Sequence, residues 1–294
     1  VFGRIYRITS SGTSSKNTVE GHDYIKMLSS ENQETRMAAH RKLTESRGPI
    51  SDLYKLINAL AMPGANDYAR LHSAWILSIQ NQLPLVYLNK LISDPNPGIR
   101  ENAIQIAEKS INDSTSLIPV ILEKLIDDDA RVRMQAALTI SMLSESNALK
   151  HKEDILKYSS LSAQKKGDKY NIAALTLANK NFPHELFAKV ADDSTQSQLL
   201  ISLAGLSASS SEHLASIFTQ LKNKNLSAGF DPIIQSITTH LHSSAENKKH
   251  VTTIEELEKK ATPSRLIHLN ALRNKIGLPS SANYLNLSKD ALIK

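Results

Sequence analysis

Three stretches of this chain repeat one another, and that repetition limits its fold more than any other feature. Asp67-Tyr68-Ala69-Arg70-Leu71-His72-Ser73-Ala74-Trp75-Ile76-Leu77 is answered by Pro97-Gly98-Ile99-Arg100-Glu101-Asn102-Ala103-Ile104-Gln105-Ile106-Ala107 and by Ala130-Arg131-Val132-Arg133-Met134-Gln135-Ala136-Ala137-Leu138-Thr139-Ile140. A further copy is anchored on Arg36, so that Arg36, Arg70, Arg100 and Arg133 stand 34, 30 and 33 residues apart. Three positions after each arginine comes a small residue: Ala39, Ser73, Ala103, Ala136. Seven positions after it comes an apolar one: Leu43, Leu77, Ala107, Ile140. Residues three and four apart share one face of a helix, so each copy reads as a helix with an apolar seam and a small residue where another helix comes close. Self-similarity at such a period marks stacked helical repeats, in which no unit buries its apolar face alone.

The repeats come in pairs of helices. Apolar runs such as Leu85 to Ile92 and Leu117 to Ile126 read as first helices, and a short acidic or proline-bearing turn leads into each second helix. Asn96-Pro97 places a capping side chain before a proline whose missing N–H costs nothing at the first helical position. Asp67 and Asp129 are expected to cap in the same way, and Asp231-Pro232 and Thr262-Pro263 to open two further helices. Beyond Ser144 the copies decay while the rhythm persists. Asn171 takes the arginine position with Ala174 and Ala178 after it, Gln198 does so with Ile201 and Gly205, and Arg265 with His268 and Leu272. The expectation is an all-α helical-repeat solenoid of about eight helix pairs preceded by a short extended segment.

Four segments follow from this reading. Residues 1–20 form an extended segment and linker, in which Val1 to Ile8 alternates side chains with the period of a strand and Thr9 to Thr18 is rich in Ser, Gly and Thr. Residues 21–144 hold the well-matched repeats, 145–278 the degenerate ones, and 279–294 a C-terminal tail or linker. A lone strand is not stable by itself, so the first segment is expected either to pair with something outside this chain or to lie loosely on the solenoid. With Val in first place and no charged-then-apolar leader, the chain is expected to be a piece of a longer polypeptide.

Composition removes several kinds of chemistry. The absence of cysteine excludes thiolate catalysis, disulfides and cysteine-ligated zinc. No run approaches the roughly 18 apolar residues of a membrane span. Among ten histidines the tightest pair is His240-x-His242, which does not share a helix face, and no ligand-spaced partner completes a metal set around it or the nearby His250. No serine sits in a Gly-x-Ser-x-Gly elbow, and Ser207 to Ser211 reads as the turn between two helices. The acidic clusters Asp127-Asp128-Asp129 and Asp192-Asp193 fall at helix junctions, where capping accounts for them. The excess of Lys plus Arg (35) over Asp plus Glu (29) permits an acidic partner. The basic doublets Lys165-Lys166, Lys248-Lys249 and Lys259-Lys260 are dispersed among acids rather than drawn into a stripe, which argues against nucleic acid. With no catalytic, cofactor-binding or metal-binding residue to assign, the chain reads as non-catalytic. Trp75, the single tryptophan, reads as an inter-helix packing residue or a docking anchor.

The turn Asp94-Pro95-Asn96-Pro97-Gly98-Ile99-Arg100 and its copy Asp127 to Arg133 resemble the HEAT repeat, whose turn reads Asp-x-x-x-x-Val-Arg. By that resemblance Asp94, Arg100, Asp127 and Arg133 form a ladder in which Asp and Arg pair between neighbouring repeats; the copies at Arg36 and Arg70 lack the acid. His184-Glu185 resembles the dipeptides of iron-binding HEAT-repeat hydroxylases, but those enzymes carry several and this chain has one, so no iron site is assigned. Gly3 to Ile8 resembles the closing strand of quinoprotein-type sugar dehydrogenase propellers. Ala69 to Leu77 resembles the HEAT region of large bacterial membrane-bound dehydrogenases, with Arg70, His72 and Trp75 as docking or packing residues. That resemblance implies a spacer holding a propeller domain and a cytochrome c domain apart in an exported, periplasmic or cell-surface oxidoreductase. Quinone and c-type haem would belong to the missing domains, and the partners would be those domains or another protein. The alternatives are a free-standing HEAT adaptor with a concave protein-binding face and a HEAT-like DNA-binding protein.

Overall fold

The computed structural model describes residues 23–45, 50–61, 65–165, 167–223, 229–242 and 245–286, and all regular structure among them is helical. The extended segment expected at residues 1–20 lies outside the described residues, as does the end of the tail from 287 onward. The chain divides into two compact units, Val1–Asn81 and Gln82–Lys294.

The first unit holds α1 (Tyr24–Met27), α2 (Gln33–Glu45), α3 (Ile50–Ala61) and α4 (Asp67–Ile79). They form two pairs, α1 with α2 and α3 with α4, and the pairs stack with α2 on α4 and α1 on α3. Ala39 and Ser73, the small residues of the repeat, are fully buried in α2 and α4, because a larger side chain would hold the two helices apart. The helix α4 starts on Asn66, whose Oδ1 accepts from the N–H groups of Tyr68 and Ala69. Asp67 therefore does not cap this helix, contrary to the expectation from sequence. It lies one residue inside, where its carboxylate takes Arg70 at 2.5 Å.

The second unit begins with α5 (Leu85–Ile92), α6 (Pro97–Ala107), α7 (Leu117–Glu123), which tightens into a 3-10 turn over Lys124–Ile126, and α8 (Ala130–Ser141). After a short extra helix, α9 (Glu145–Lys150), come α10 (Lys152–Ala163), α11 (Lys169–Ala178), α12 (Pro183–Val190) and α13 (Ser197–Ser207). The unit closes with α14 (Ser211–Asn223), α15 (Phe230–His240), α16 (Val251–Lys259) and α17 (Pro263–Lys275). Two layers result. The first helices α5, α7, α10, α12, α14 and α16 each touch the next of their own layer, and the second helices α6, α8, α11, α13, α15 and α17 do the same. This is a HEAT-like helical-repeat stack of six pairs in this unit, which with the two of the first unit makes eight among the described residues.

The core runs between the layers. Leu88, Ile118, Ile121, Leu156, Leu186, Phe187, Ile217 and Phe218 face it from the first helices, and Ile104, Val132, Ala136, Leu203, Ile234 and Leu272 from the second. Burying such side chains removes about 25 cal/mol per Å² of apolar surface from water, which makes stacking rather than helix propensity the main source of stability. Asn96, Asp129, Asp168 and Thr262 cap α6, α8, α11 and α17 with their side chains. At α15 the start lies earlier than the sequence suggests. Gly229 is the N-cap and Asp231 sits inside the first turn without capping. Proline is tolerated at Pro232 because the first four N–H groups of a helix have no intrahelical acceptor anyway. At the other end α17 stops at Gly277, which adopts φ +76° and lets the N–H of Leu278 reach Arg273 O at 2.9 Å.

Candidate functional site

The polar chemistry of the second unit is concentrated in the turns between first and second helices. In the turn before α6, Asp94 Oδ1 accepts the N–H of Asn96 (2.9 Å), and Asn96 Oδ1 accepts the N–H of Gly98 (2.8 Å). Arg100 then folds back, its Nη1 donating to Asp94 O (2.8 Å) and Pro95 O (3.0 Å). The turn before α8 repeats the arrangement: Asp127 Oδ1 accepts from Asp129 N–H, Asp129 Oδ1 from Arg131 N–H, and Arg133 Nη1 donates to Asp127 O (2.7 Å) and Asp128 O (2.9 Å). The first unit does it with different residues. There Ser30 Oγ accepts from Asn32 N–H, and Arg36 Nη1 donates to Ser30 O (2.7 Å) and Glu31 O (3.0 Å). The arginine thus fastens its own turn, at offsets of six and five residues, by charge-assisted bonds to carbonyls that the preceding helix leaves unpaired.

Arg100 also reaches the next repeat. Arg100 grips the Asp127 carboxylate with Nε at 2.9 Å and Nη2 at 2.7 Å, a bidentate pair with both side chains nearly out of water. Of the four expected ladder residues, Arg100 and Asp127 are in contact between repeats, and Asp94 and Arg133 make the bonds just described in their own turns. At the other end of α6, Glu108 Oε1 accepts from Gln135 Nε2 (2.7 Å) and Thr139 Oγ1 (3.1 Å), tying α6 to α8 a second time. The sequence reading missed the intra-turn clamp. Its only signal was the constant spacing from the turn to the arginine.

Arg70, His72 and Trp75 all lie on α4. Arg70 holds Asp67, and Trp75 is half-buried. His72 meets His40 of α2 with the two Nδ1 atoms 3.1 Å apart and the ring centroids 5.1 Å apart. One Nδ1 must donate and the other accept, so the accepting ring is neutral with its proton on Nε2. Burial, reinforced by the charges of His40 and Arg36, lowers the His72 pKa to about 4, and burial lowers that of His40. The Arg36 guanidinium lies 3.8 Å above the Tyr68 ring, a cation–π contact between α2 and α4.

A second histidine pair joins α12 to α14. His184 and His213 stack with centroids 4.1 Å apart, and burial lowers both pKa values. Glu185, next to His184, is held by Lys152 of α10 at 2.8 Å. His240 is bonded to Ser236 O, while the His250 ring meets Ser211 Oγ at 2.9 Å. Among the described residues no group of three or more His, Asp or Glu side chains is placed to hold a metal ion, and no helix is long and apolar enough to cross a membrane.

These features define a helical-repeat protein whose polar residues mainly hold repeat to repeat. The HEAT repeat family matches residues 117–146, the segment from α7 through α8 into the start of α9. No curated protein matches the sequence. Among solved structures, the crystal structure of YibA from E. coli is similar over 92% of this chain and 99% of that one, at 16% identity and a TM-score of 0.46. At that score the likeness carries no argument.

Proposed function

We propose that this chain is a non-catalytic docking scaffold that binds a protein partner on its second-helix layer. The observation that carries the reading is on α11, where Tyr170 and Leu177, two turns apart on one face, are 60% and 46% exposed. Apolar side chains aligned on a solvent-facing helix surface are costly to leave bare and are usual at protein contacts. The test is co-purification of the full chain from its native cells with native mass spectrometry. A stoichiometric protein complex is expected, lost in Tyr170→Glu/Leu177→Glu at unchanged melting temperature. Retention of the partner by the double variant, or a chain that elutes alone, overturns the reading.

A narrower form of the proposal makes the scaffold a spacer inside an oxidoreductase, between a propeller and a cytochrome c domain. Its support is the resemblance in residues 3–8 and 69–77. Any quinone or haem would then be held by those other domains. Sequencing the gene on both sides is decisive: a propeller upstream and a Cys-x-x-Cys-His motif downstream are expected, and a start codon beside Val1 with no haem motif beyond Lys294 overturns it.

A further inference from the structure

The exposed face of α11 carries a charge pattern as well as apolar side chains. Tyr170, Ala173 and Leu177 stand three and four residues apart, all exposed, and so share one side of the helix. Lysines bracket them. Lys169 holds its Nζ 5.0 Å from the centroid of the Tyr170 ring, and Lys180, in the turn after the helix, reaches back to Ser141 O of α8 at 2.7 Å. Neither lysine is in an ion pair among the described residues. Lysines of the first-helix layer are placed differently: Lys152 meets Glu185 at 2.8 Å, and Lys222 meets Glu256 at 2.6 Å. The charges beside the α11 face are already engaged. Arg131 of α8 has Asp129 and Glu101, and Asp168 caps α11 through the N–H groups of Tyr170 and Asn171. An apolar strip with an unpaired cation at each end is complementary to an apolar strip with an acid at each end.

We infer that the protein partner lays an amphipathic helix along α11, with two apolar side chains against Tyr170 and Leu177 and an Asp or Glu facing each of Lys169 and Lys180. The inference rests on the docking reading above and adds the chemistry of the partner to it. Spacing selects a helix. Lys169 and Lys180, eleven residues apart, are separated by about 16 Å along the axis of α11. A helical partner covers that length between residues i and i+11, and its residues i, i+4, i+7 and i+11 all lie on one face. An extended partner covers it in about five residues at ~3.3 Å each, and residues five apart on a strand point to opposite sides. Only the helix brings both acids and both apolar side chains to the same surface.

The test is fluorescence anisotropy on the full chain at low ionic strength. The probe is a fluorescein-labelled helix of about 18 residues built on alanine and glutamine, with glutamate at i and i+11 and leucine at i+4 and i+7. It is expected to bind, and to bind Lys169→Glu/Lys180→Glu at least about tenfold more weakly. Lys150→Glu/Lys189→Glu, the same charge change at exposed sites on α9 and α12, should stay within about twofold. The peptide with lysine in place of glutamate should reverse the order and prefer the Lys169→Glu/Lys180→Glu chain. Lys169→Gln/Lys180→Gln should also weaken binding of the glutamate peptide, and it serves if the glutamate variant fails to fold. Absence of binding overturns the inference, as does equal weakening by the two glutamate pairs, since only net charge would then matter. Undiminished binding of a peptide without the leucines overturns it too. Displacement by duplex DNA of equal charge, or a dimer in sedimentation velocity that Tyr170→Glu/Leu177→Glu dissolves, overturns it in favour of nucleic acid or a second copy on this face. A co-purifying partner kept by Lys169→Glu/Lys180→Glu but lost by Tyr170→Glu/Leu177→Glu overturns the acidic helix and leaves the docking reading standing. Lysine-dependent peptide binding by a chain that elutes alone does the reverse.

Discussion

The junction between α6 and α8 and the junction between α13 and α15 do the same mechanical work with different chemistry. In the first, a bidentate Arg100–Asp127 pair and the Glu108, Gln135 and Thr139 cluster join two helices whose contact point is Ala136. In the second there is no ion pair among the described contacts; Ser236 Oγ donates to Ile201 O at 2.9 Å, and Gly205 lets the helices close. A Cβ at Gly205 would stand 2.6 Å from Ser236 Oγ and 3.0 Å from His240 Nδ1. The difference teaches that the stack is specified by a small residue and an apolar seam at each junction. Charged turns reinforce it where they occur, and their loss in the later repeats removes the motif without removing the packing.

The largest effect is expected from Arg100→Ala. It strands the nearly buried Asp127 carboxylate and releases two carbonyls, for a loss of about 3 kcal/mol in urea or thermal unfolding. A loss under about 1 kcal/mol would place the ladder among the dispensable features of the first junction. Gly205→Ala should cost about 1–3 kcal/mol by overpacking the second junction, and truncating the obstacle in Gly205→Ala/Ser236→Ala should restore part of it. If the alanine is neutral, the close approach there is not what holds α13 to α15.

Acid should act on histidine pairs, and so on both units by the same route. His40, His72, His184 and His213 all have folded-state pKa values below the ordinary 6.5 because burial penalises the imidazolium. The unfolded chain therefore binds more protons below pH 6.5, and stability present above that pH is lost as the pH falls toward the folded values, about 4 for His72. Solvent screening of these partly buried rings keeps the effect modest, and stability should be lower at pH 5 than at pH 7. Urea midpoints at the two pH values check this, and His72→Gln should flatten the dependence. The smallest effect is expected from Lys152→Ala. Its pair with Glu185 is open to water, and the change should stay within about 0.5 kcal/mol in the same unfolding measurement.

Much of the fold was legible because helix periodicity is local. The run Leu85 to Ile92 is α5, Leu117 to Ile126 is α7 with its 3-10 turn, and Ser207 to Ser211 marks the passage from α13 to α14. Helix starts were less legible. Asn66 and Asp67 are both good caps, and in the structure Asn66 takes the cap while Asp67 meets Arg70. The candidate site was legible in part. The Asp94, Arg100, Asp127 and Arg133 pattern announced an inter-repeat contact, yet the bond of each arginine to its own turn depends on a backbone path that spacing does not describe.

The sequence by itself determined that this chain folds as paired helices with small residues at their contacts, since residues three, four and seven apart must share a helix face. Tertiary structure alone decided which polar groups meet. Arg100 with Asp127, His40 with His72, His184 with His213 and Gly205 with Ser236 are each separated by about thirty residues. Their encounters depend on how far one repeat is rotated and shifted on the next, which no local pattern encodes.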